Sequence, residues 1–291
     1  MPPAVIFVVG PTAVGKSDFA IKLAKGIDGE IVSADSMQVY RGFDKGTAKP
    51  SVEARQGVLH HMIDVADPCE DFSAAAFSQM AQDAIKGILG RGKAPVVCGG
   101  SGLYVHSLLY EMDFSGRDRD EAFRAGLMKE AEEKGAGHLF ARLLEADPNA
   151  AESIHPNNTK RVIRALERAR GEIESSGLRG FETTFETKKR YEARIIRLTA
   201  DRAALYERID QRAEAFFASG LIEEVERLLE SGVPGEGAAM QGIGYKEVAS
   251  MLAGEYDDEE ALRLVKRNTR HFAKRQEMWF KRYKEAEIVY L

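Results

Sequence analysis

Short apolar runs alternate with segments of helical periodicity along the first third of this chain. Residues 4–9 form an apolar run, and apolar side chains then recur at helical spacing over residues 16–26. The run EIVSAD predicts a second strand that ends at Asp35, residues 74–89 have helical spacing, and APVVC predicts a third strand. Strands and helices in alternation are typical of an α/β fold with a parallel sheet.

The remaining pattern predicts an interrupted core. Residues 113–190 are rich in Ala, Glu, Arg and Lys with helical spacing, ARIIRLTA at 193–200 is strand-like, and the chain from Asp201 onward is helical in pattern. We therefore predict a parallel-sheet core with a phosphate-binding loop, a helical insertion domain and a helical C-terminal region. The predicted boundaries are 1–112 for the first part of the core, 113–192 for the insertion, and 193–291 for completion of the core and the basic C-terminal helices.

The composition excludes several classes of protein. Of 291 residues, 44% are hydrophobic and 30% are charged, which suits a folded core and argues against disorder. The two cysteines, Cys69 and Cys98, form no C-x-x-C pair, so neither a disulfide framework nor a zinc site is predicted. The first apolar run is too short for a signal peptide, and no stretch is long enough to span a membrane. We expect a cytoplasmic protein.

Positive charge is concentrated locally although the net charge is −5. Residues 263–284 contain nine Lys or Arg against one acid, and residues 160–170 contain five against one. A basic face on an acidic protein is typical of a polyanionic partner, but charge alone is equally compatible with a solvated helix face.

A glycine loop follows the first strand and precedes the first helix. Residues 10–17, GPTAVGKS, match the pattern G-x-x-x-x-G-K-[ST], in which glycines let backbone amides turn toward an anion. The following helix adds its positive end, Lys16 can reach terminal phosphate oxygens, and the Ser17 hydroxyl can ligate Mg²⁺. The alternative is a strand-to-helix turn without a ligand.

Two further motifs follow strands and are expected to converge on this loop. Asp35 could act as a general base or as a partner of Mg²⁺, while the alternative is a turn cap. The third strand ends in Gly99-Gly100-Ser101 instead of the acid that is usual in hydrolytic ATPases, which argues against a motor or hydrolase. His60 and His61 are adjacent, and on a strand they would point to opposite sides, so we favour a structural role over a metal site.

Aromatic residues on the C-terminal helix recur on one face. The spacing of Phe272, Trp279 and Tyr283 by seven and four residues predicts that they pack in the core, with the basic residues outside.

These motifs together resemble one family, the tRNA dimethylallyltransferases (tRNA isopentenyltransferases) of the bacterial type. SADSMQVYRG, GTAKP and GIGYKE are more specific than the glycine loop, and the similarity runs nearly end to end. The motifs that carry it are GPTAVGKS, EIVSADSMQVYRGFDKGTAKP, HHMIDVADPCEDFSAAAF, VVCGGSGLY, IHPNNTKRVIRALE, MQGIGYKE and TRHFAKRQEMWF.

The resemblance implies a prenyl transfer to tRNA. The glycine loop would hold the diphosphate of dimethylallyl diphosphate, which is the leaving group, with Mg²⁺ on Ser17. The isoprenoid would pass to the exocyclic amine of the adenosine just 3′ of the anticodon, and Asp35 would accept its proton. The diphosphate-binding residues would be Gly10, Pro11, Thr12, Ala13, Val14, Gly15, Lys16 and Ser17.

The resemblance also assigns contacts with the anticodon stem-loop of tRNA. Gln38 carries the amide needed to read an adenine edge. Ser101, where the family usually has Thr, would be a second catalytic residue with Asp35. Together with the charge pattern, the resemblance makes the cations of the basic C-terminal helix candidates for phosphate contacts. We also expect the protein to be a monomer. The assigned tRNA-binding residues are Asp35, Ser36, Met37, Gln38, Arg124, Lys160, Arg161, Val162, Ile163, Arg164, Arg270, Lys274 and Arg275.

Three alternatives remain open at this point. A small-molecule kinase would use the same loop for ATP and Asp35 as its base, but leaves the basic segment and SADSMQVYRG unexplained. An adenylate isopentenyltransferase would use free AMP or ATP and would need no tRNA-binding face. An RNA-binding module that catalyses no reaction would need neither a complete phosphate-binding loop nor the Asp35 carboxylate at the end of a strand beside it.

Overall fold

The chain divides into two compact units. A computed structural model describes residues 5–112, 121–152, 154–172 and 189–291. One unit comprises residues 1–109 and 189–291, and the other comprises residues 110–188. These boundaries lie three and four residues from the predicted ends of the insertion at 113 and 192. None of the helices in the described ranges is both long and apolar enough to cross a membrane.

A six-stranded parallel sheet forms the centre of the first unit, in the order β3-β2-β4-β1-β5-β6. Val8 of the central strand pairs with Cys98 on one side and with Ile196 on the other. The predicted α/β fold with a parallel sheet is therefore confirmed. The strands are β1 (Val5–Val9), β2 (Gly29–Ser33), β3 (His60–His61), β4 (Ala94–Gly99), β5 (Ala193–Thr199) and β6 (Glu287–Tyr290).

Helices cover the sheet and build the second unit. In the first unit they are α1 (Lys16–Gly26), α2 (Ala74–Gly90), α3 (Gly102–Leu109), α8 (Arg202–Ala218), α9 (Leu221–Glu230), α10 (Tyr245–Leu252) and α11 (Asp258–Phe280). In the second unit they are α4 (Glu121–Lys134), α5 (Ala136–Ala146), α6 (Pro148–Glu152) and α7 (Thr159–Glu167), followed by a π-helical turn at Arg168–Glu172.

The central strands are buried on both faces, as expected for a parallel sheet between helices. Phe7, Val8 and Val9 of β1 and Val96 and Val97 of β4 are all fully buried. Each such side chain contributes about 1.5–3 kcal/mol through removal of apolar surface from water. This rigid centre holds the carboxyl ends of β1, β2 and β4 side by side, and the three candidate motifs follow those ends.

The C-terminal edge strand was not predicted. Residues after Asp201 were expected to be helical throughout, but Glu287–Tyr290 returns as β6 and pairs with β5. Three of its four residues are exposed, so the strand lacks the buried apolar pattern that marks β1 and β4. The prediction also extended β2 too far, because β2 ends at Ser33 and leaves Asp35 in the turn beyond it.

The second unit has its own apolar core. Leu139, Leu143 and Val162 are fully buried there, and Leu127 is nearly so. Helix α7 begins at an N-cap in which the Asn158 side chain accepts a hydrogen bond from the Arg161 amide at 3.2 Å. This unit is helical in the described ranges, in keeping with the composition of the insertion.

Candidate active site

The glycine loop has the backbone geometry that an anion-binding loop requires. Gly10 takes φ +151°, and a Cβ there would lie 2.5 Å from the carbonyl oxygen of Leu198 on β5. Gly15 takes φ +96° at the N-cap of α1, where a side chain would be strained. Ala13 also has positive φ, +61°, a conformation that is costly for a residue with a Cβ. The loop therefore wraps tightly around the N-terminus of α1.

Lys16 lies folded over this loop. Its Nζ donates to the carbonyl oxygen of Pro11 at 2.7 Å. Burial lowers the pKa of Lys16 to about 8, an effect partly offset by the nearby Cys98 and Asp35 and reinforced by the Arg212 guanidinium. The ammonium is thus a poorly solvated cation at the mouth of the loop, where a phosphate would stabilise its charge.

The Asp35 carboxylate caps a turn and also lines the site. The geometry is therefore compatible with a turn cap and with a role as general base or Mg²⁺ partner. Its Oδ1 accepts from the Met37 amide at 2.9 Å and from the Gln38 amide at 3.4 Å. These bonds fix the carboxylate against the turn that follows β2. Within the described residues, no side chain forms a hydrogen bond or ion pair with Asp35.

Ser101 holds the same turn from the other side. Its Oγ accepts from the Ser36 amide at 2.9 Å and donates to the Ser36 hydroxyl at 3.1 Å. The Ser101 amide in turn donates to the carbonyl of Ala34 at 3.1 Å. The turn after β2 and the glycine turn after β4 are therefore joined directly, as the predicted convergence of these motifs requires.

Gln38 uses both ends of its amide within the protein. Its Oε1 accepts from the Ser33 hydroxyl at 3.0 Å, and its Nε2 donates to the carbonyl of Thr47 at 3.2 Å. Each end of the amide keeps one further hydrogen-bonding position, and its reading of an adenine edge stays a prediction.

A first cavity of about 310 Å³ lies beside the glycine loop. Lys16 and Ser17 of the loop line this cavity, and α8 contributes two arginines. The charged and polar lining residues are Thr12, Lys16, Ser17, Asp18, Ser33, Asp35, Gln38, Thr47, His60, Arg208 and Arg212.

A second cavity of about 310 Å³ has a largely apolar and aromatic lining. Phe216 of α8 and Phe272 of α11 contribute rings, and Arg275 lies with its guanidinium 5.7 Å from the Phe272 ring centre. Phe272 was predicted to be a core residue. It is only partly buried and lines this cavity, whereas Tyr283 is buried as predicted, although α11 ends before it at Phe280.

Five residues line both cavities: Thr12, Ala13, Asp35, Thr47 and Arg212. Arg212 is partly buried on α8, with its guanidinium 5.1 Å from the Phe216 ring centre. Burial lowers its pKa, and the nearby Asp35 opposes that shift. It has no ion pair or hydrogen bond with any residue in the described part of the chain. A desolvated arginine without a protein partner is suited to bind an anionic ligand.

A buried carboxylate fixes the loop that carries Thr47. Glu224 of α9 is 4% exposed and accepts from the amides of Asp44 and Lys45 at 3.0 Å and from the Tyr245 hydroxyl at 2.6 Å. The same hydroxyl accepts from the Gly46 amide at 3.1 Å. The contact of this loop with α9 and α10 thus fixes the segment next to Thr47, one of the five residues that line both cavities.

The three candidate cations of α11 differ in their surroundings. Arg270 donates to the Asp210 carboxylate at 3.2 Å, whereas Lys274 and Arg275 are exposed. Of the three, Arg275 alone lines the second cavity. A direct contact with a nucleotide in the cavity is therefore open to Arg275, and Lys274 faces solvent.

In the second unit, the candidate segment at 160–164 is only partly available to a partner. Lys160 and Arg161 are exposed, but the side chains of Val162 and Ile163 are buried in the core of that unit. Arg164 donates to Glu167 at 3.1 Å. Of residues 160–164, only the polar side chains are therefore available for the predicted tRNA contact. Arg124 Nε lies 4.0 Å from Glu167 Oε1, so Arg124 is at ion-pair distance from a carboxylate of the same unit.

The paired histidines have separate partners. His60 Nδ1 lies 2.9 Å from the Val58 carbonyl oxygen, and His61 Nε2 lies 2.7 Å from the carboxylate of Glu30. No cluster of three or more His, Cys, Asp or Glu occurs among the described residues that would hold a metal. The contacts with Val58 and Glu30 agree with a structural role for the pair, although His60 also lines the first cavity.

Comparison with known proteins identifies the family. The model of the family described as IPP transferase matches residues 38–283. The chain belongs to the IPP transferase family. The tRNA dimethylallyltransferase of Alkaliphilus metalliredigens is 47% identical over 287 residues, which are 99% of this chain and 91% of the relative. That of Clostridioides difficile is 45% identical over 282 residues, 97% of this chain and 90% of the relative. The resemblance inferred from the motifs is confirmed.

Solved structures of IPP transferases share the fold. The tRNA isopentenylpyrophosphate transferase of Bacillus halodurans superposes with a TM-score of 0.73 at 40% identity, covering 99% of this chain and 90% of that chain. A eukaryotic dimethylallyltransferase, seen in crystals acting on tRNA, gives a TM-score of 0.80 at 28% identity, covering 99% of this chain and 74% of that one.

Sequence reasoning missed several residues that build the site of this IPP transferase. Arg212, Phe216 and Gln276 contribute to the cavities or their walls. Arg212 and Phe216 lie on α8 outside the quoted motifs, and their signal was helical spacing with Ile209, an apolar residue on the same face. Gln276 lies within the motif TRHFAKRQEMWF but was not singled out there.

Proposed function

We propose that this chain transfers a dimethylallyl group from dimethylallyl diphosphate to the exocyclic amine of the adenosine 3′-adjacent to the anticodon of tRNA, with release of diphosphate. Its membership of the IPP transferase family makes it a tRNA-modifying prenyltransferase. The substrate positions and the roles of individual residues below are part of the proposal.

The donor diphosphate fits the first cavity. The amides from Ala13 to Ser17 surround the N-terminus of α1, and Lys16 and Arg212 supply positive charge. Negative charge grows on the diphosphate as the C–O bond breaks, so fixed donors at this position stabilise the transition state more than the ground state. The Thr12 amide is a weaker candidate for this role, because it already donates to the Gln276 side chain at 2.8 Å.

Magnesium fits the same end of the site. Ser17 is exposed at the cavity wall and offers a hard oxygen ligand, and Mg²⁺ is usually held by one or two protein oxygens together with substrate phosphates and water. A single hydroxyl at the loop, without a dedicated cluster of acids among the described residues, suits that mode. When bound, the ion would neutralise charge on the leaving diphosphate.

The acceptor adenine fits the second cavity. Its aromatic lining offers stacking surfaces for a base, and Arg275 at its edge can contact a neighbouring phosphate. The adenosine has to leave its stack to enter, as base-modifying enzymes generally require. The exocyclic amine would then face the shared wall that contains Asp35.

The reaction at that wall is a displacement. The amine nitrogen forms a bond to C1 of the allyl group, and the bond between C1 and the diphosphate oxygen breaks, with its electron pair leaving on diphosphate. The surplus amine proton passes to the Asp35 carboxylate. Ser101 acts on this step through Ser36, because its hydroxyl holds the turn that positions Asp35.

One observation carries this proposal: Asp35 and Arg212 border both cavities. A base and a cation at the common wall suit a reaction in which an amine enters from one side and an anion departs on the other. A kinase would also use the loop and the base, but it leaves the aromatic cavity beside a basic helix unexplained.

The mass of the product tests the proposal. Purified protein is incubated with Mg²⁺ and either unmodified tRNA or free AMP, with dimethylallyl diphosphate as donor in one series and ATP in another. A dimethylallyl increment on tRNA alone is the expected result. An increment on AMP would identify an adenylate prenyltransferase, and a phosphate increment from ATP would identify a kinase. Either outcome would overturn the proposal.

A further inference from the structure

The two glycine loops of the site meet on one side chain of α11. Gln276 is 5% exposed, and its Oε1 accepts from the Thr12 amide at 2.8 Å while its Nε2 donates to the Gly100 carbonyl at 2.9 Å. A single amide thus satisfies a backbone donor of the diphosphate loop and a backbone acceptor of the loop that carries Ser101. These loops lie far apart in the sequence, on either side of β2, β3 and α2.

The approach of α11 to these loops is close enough to require glycine. A Cβ at Gly100 would lie 2.3 Å from Nε2 of Gln276 and 3.6 Å from Nζ of Lys16. A Cβ at Gly102 would lie 2.4 Å from Nε1 of Trp279, one turn further along α11. The contact is therefore between helix side chains and bare backbone, a packing arrangement that permits little displacement.

We propose that Gln276 is a positioning residue for the transfer reaction, which sets the distance between the donor loop and the turn that carries the base. From Gly100 the connection runs through Ser101 to Ser36 and so to Asp35. On the other side it runs through Thr12 to the loop that surrounds the diphosphate. Gln276 contacts no substrate itself. This inference rests on the proposed function.

The position of Gln276 on α11 also links the two cavities. Arg275, the preceding residue, lines the second cavity, whereas Gln276 bonds to Thr12, which lines both cavities, and to Gly100, which lies between Gly99 of the first cavity and Ser101 of the second. The helix that faces the acceptor is thereby bonded to the loop that faces the donor. Removal of the Gln276 amide should therefore displace the donor loop relative to the turn that carries Asp35, while Arg275 and Phe272 of α11 remain in place.

The substitution Gln276→Met tests this role, because it keeps an unbranched side chain of similar length and removes both hydrogen bonds. We expect the KM for dimethylallyl diphosphate to rise roughly tenfold or more and kcat to fall, since small misplacements of reacting groups are costly. The KM for tRNA should stay within about twofold, because Arg275 and the aromatic lining are unchanged. The matched control is Gln82→Met on α2, whose amide donates to Ser78 outside both cavities and whose donor KM should not change.

The kinetics of Gln276→Met decide the inference. A donor KM equal to that of the wild type overturns it, and so does a reduced kcat with both KM values unchanged, which indicates only a smaller amount of folded enzyme. If Gln276→Met does not fold, hydrogen exchange of the Thr12 amide in the wild-type protein decides instead. Slow exchange supports the bond to Gln276, and exchange at the rate of an open loop amide overturns it. If the wild-type protein forms no dimethylallyl-tRNA, the proposed function has failed and not the Gln276 bond.

Discussion

The two cavities have the same volume, about 310 Å³, but differ in their linings. The first has a glycine loop, a lysine and arginines around it, and the second has aromatic rings and an arginine at its edge. They share Asp35 and Arg212 in a common wall. One site can therefore separate the tasks of holding an anion and holding a base, and can place the proton acceptor between them.

The strongest effect is expected from the common wall at Asp35. Asp35→Asn removes the proton acceptor but retains an oxygen that can cap the turn at Met37. We expect kcat to fall by roughly 10²–10⁴-fold, the usual contribution of a general base, while tRNA affinity is retained. Single-turnover rates and tRNA binding check this, with Asp83→Asn on the exposed side of α2 as control. Normal turnover would remove Asp35 from the chemistry.

Arg212→Met should weaken use of the donor, because Arg212 lies in the wall that the two cavities share. The substitution keeps an apolar stem beside Phe216 but removes a cation that makes no hydrogen bond or ion pair within the described ranges. We expect kcat/KM for dimethylallyl diphosphate to fall by about 10²-fold, as for removal of a buried charge-assisted contact to an anion. Steady-state kinetics with the donor as the varied substrate measures this.

The matched control for this substitution lies on the same helix. Arg202→Met also removes a guanidinium that stacks on a ring, that of Tyr206, but at an exposed position away from the cavities. Its steady-state constants should match those of the wild type. Equal decreases in the two variants would mean that charge on α8, and not the position of Arg212, is what matters.

On the basic face of α11, Arg275 lines the second cavity, whereas Lys274 is exposed and does not. Neutralisation of Arg270, Lys274 and Arg275 together should weaken tRNA binding and reduce the slope of log affinity against log salt by about one for each phosphate interaction that is removed. Among single variants, Arg275→Gln should weaken binding most, because Arg275 alone of the three lines the second cavity. An unchanged salt slope in the triple variant would move the tRNA-binding face elsewhere.

The pH dependence of donor binding should report Lys16. Its pKa is lowered by burial to about 8, so the free enzyme loses this charge as the pH rises through that value. We expect kcat/KM for the donor to decline above about pH 8, and kcat to hold to higher pH, because bound diphosphate favours the charged lysine. Lys16→Arg, which cannot lose its proton in this range, should abolish the decline in whatever activity remains. A flat profile for the wild type would contradict the assignment.

Residues of this site could be predicted from the sequence where their position depends on neighbouring residues in the chain, and not where it depends on packing between distant segments. The glycine loop and Asp35 follow core strands closely, so local patterns identified them as candidates. Ser101 was assigned by the family resemblance, and the parallel sheet brings the three together. Arg212 and Gln276 reach the site through the packing of α8 and α11 against those loops, which local periodicity does not encode, although Gln276 lies within the motif TRHFAKRQEMWF. Phe272 was misassigned for the same reason, because helical spacing defines a face but not whether that face meets the core or a cavity.

The C-terminal edge of the sheet was missed for a different reason. Strand β6 has four residues and is mostly exposed, so it lacks the buried apolar run that makes β1 and β4 recognisable. In the second unit the resemblance assigned residues 160–164 to tRNA contact, but neither it nor the charge pattern could show that Val162 and Ile163 face the core.

The most direct test of the division between donor and acceptor cavities is to measure both KM values for two variants, one at each cavity. Lys16→Met changes the first cavity, and Arg275→Gln changes the second. We expect Lys16→Met to raise the KM for dimethylallyl diphosphate with little effect on that for tRNA, and Arg275→Gln to do the reverse. If both variants raise the same KM, or if the effects are exchanged, the two cavities do not divide donor and acceptor as proposed.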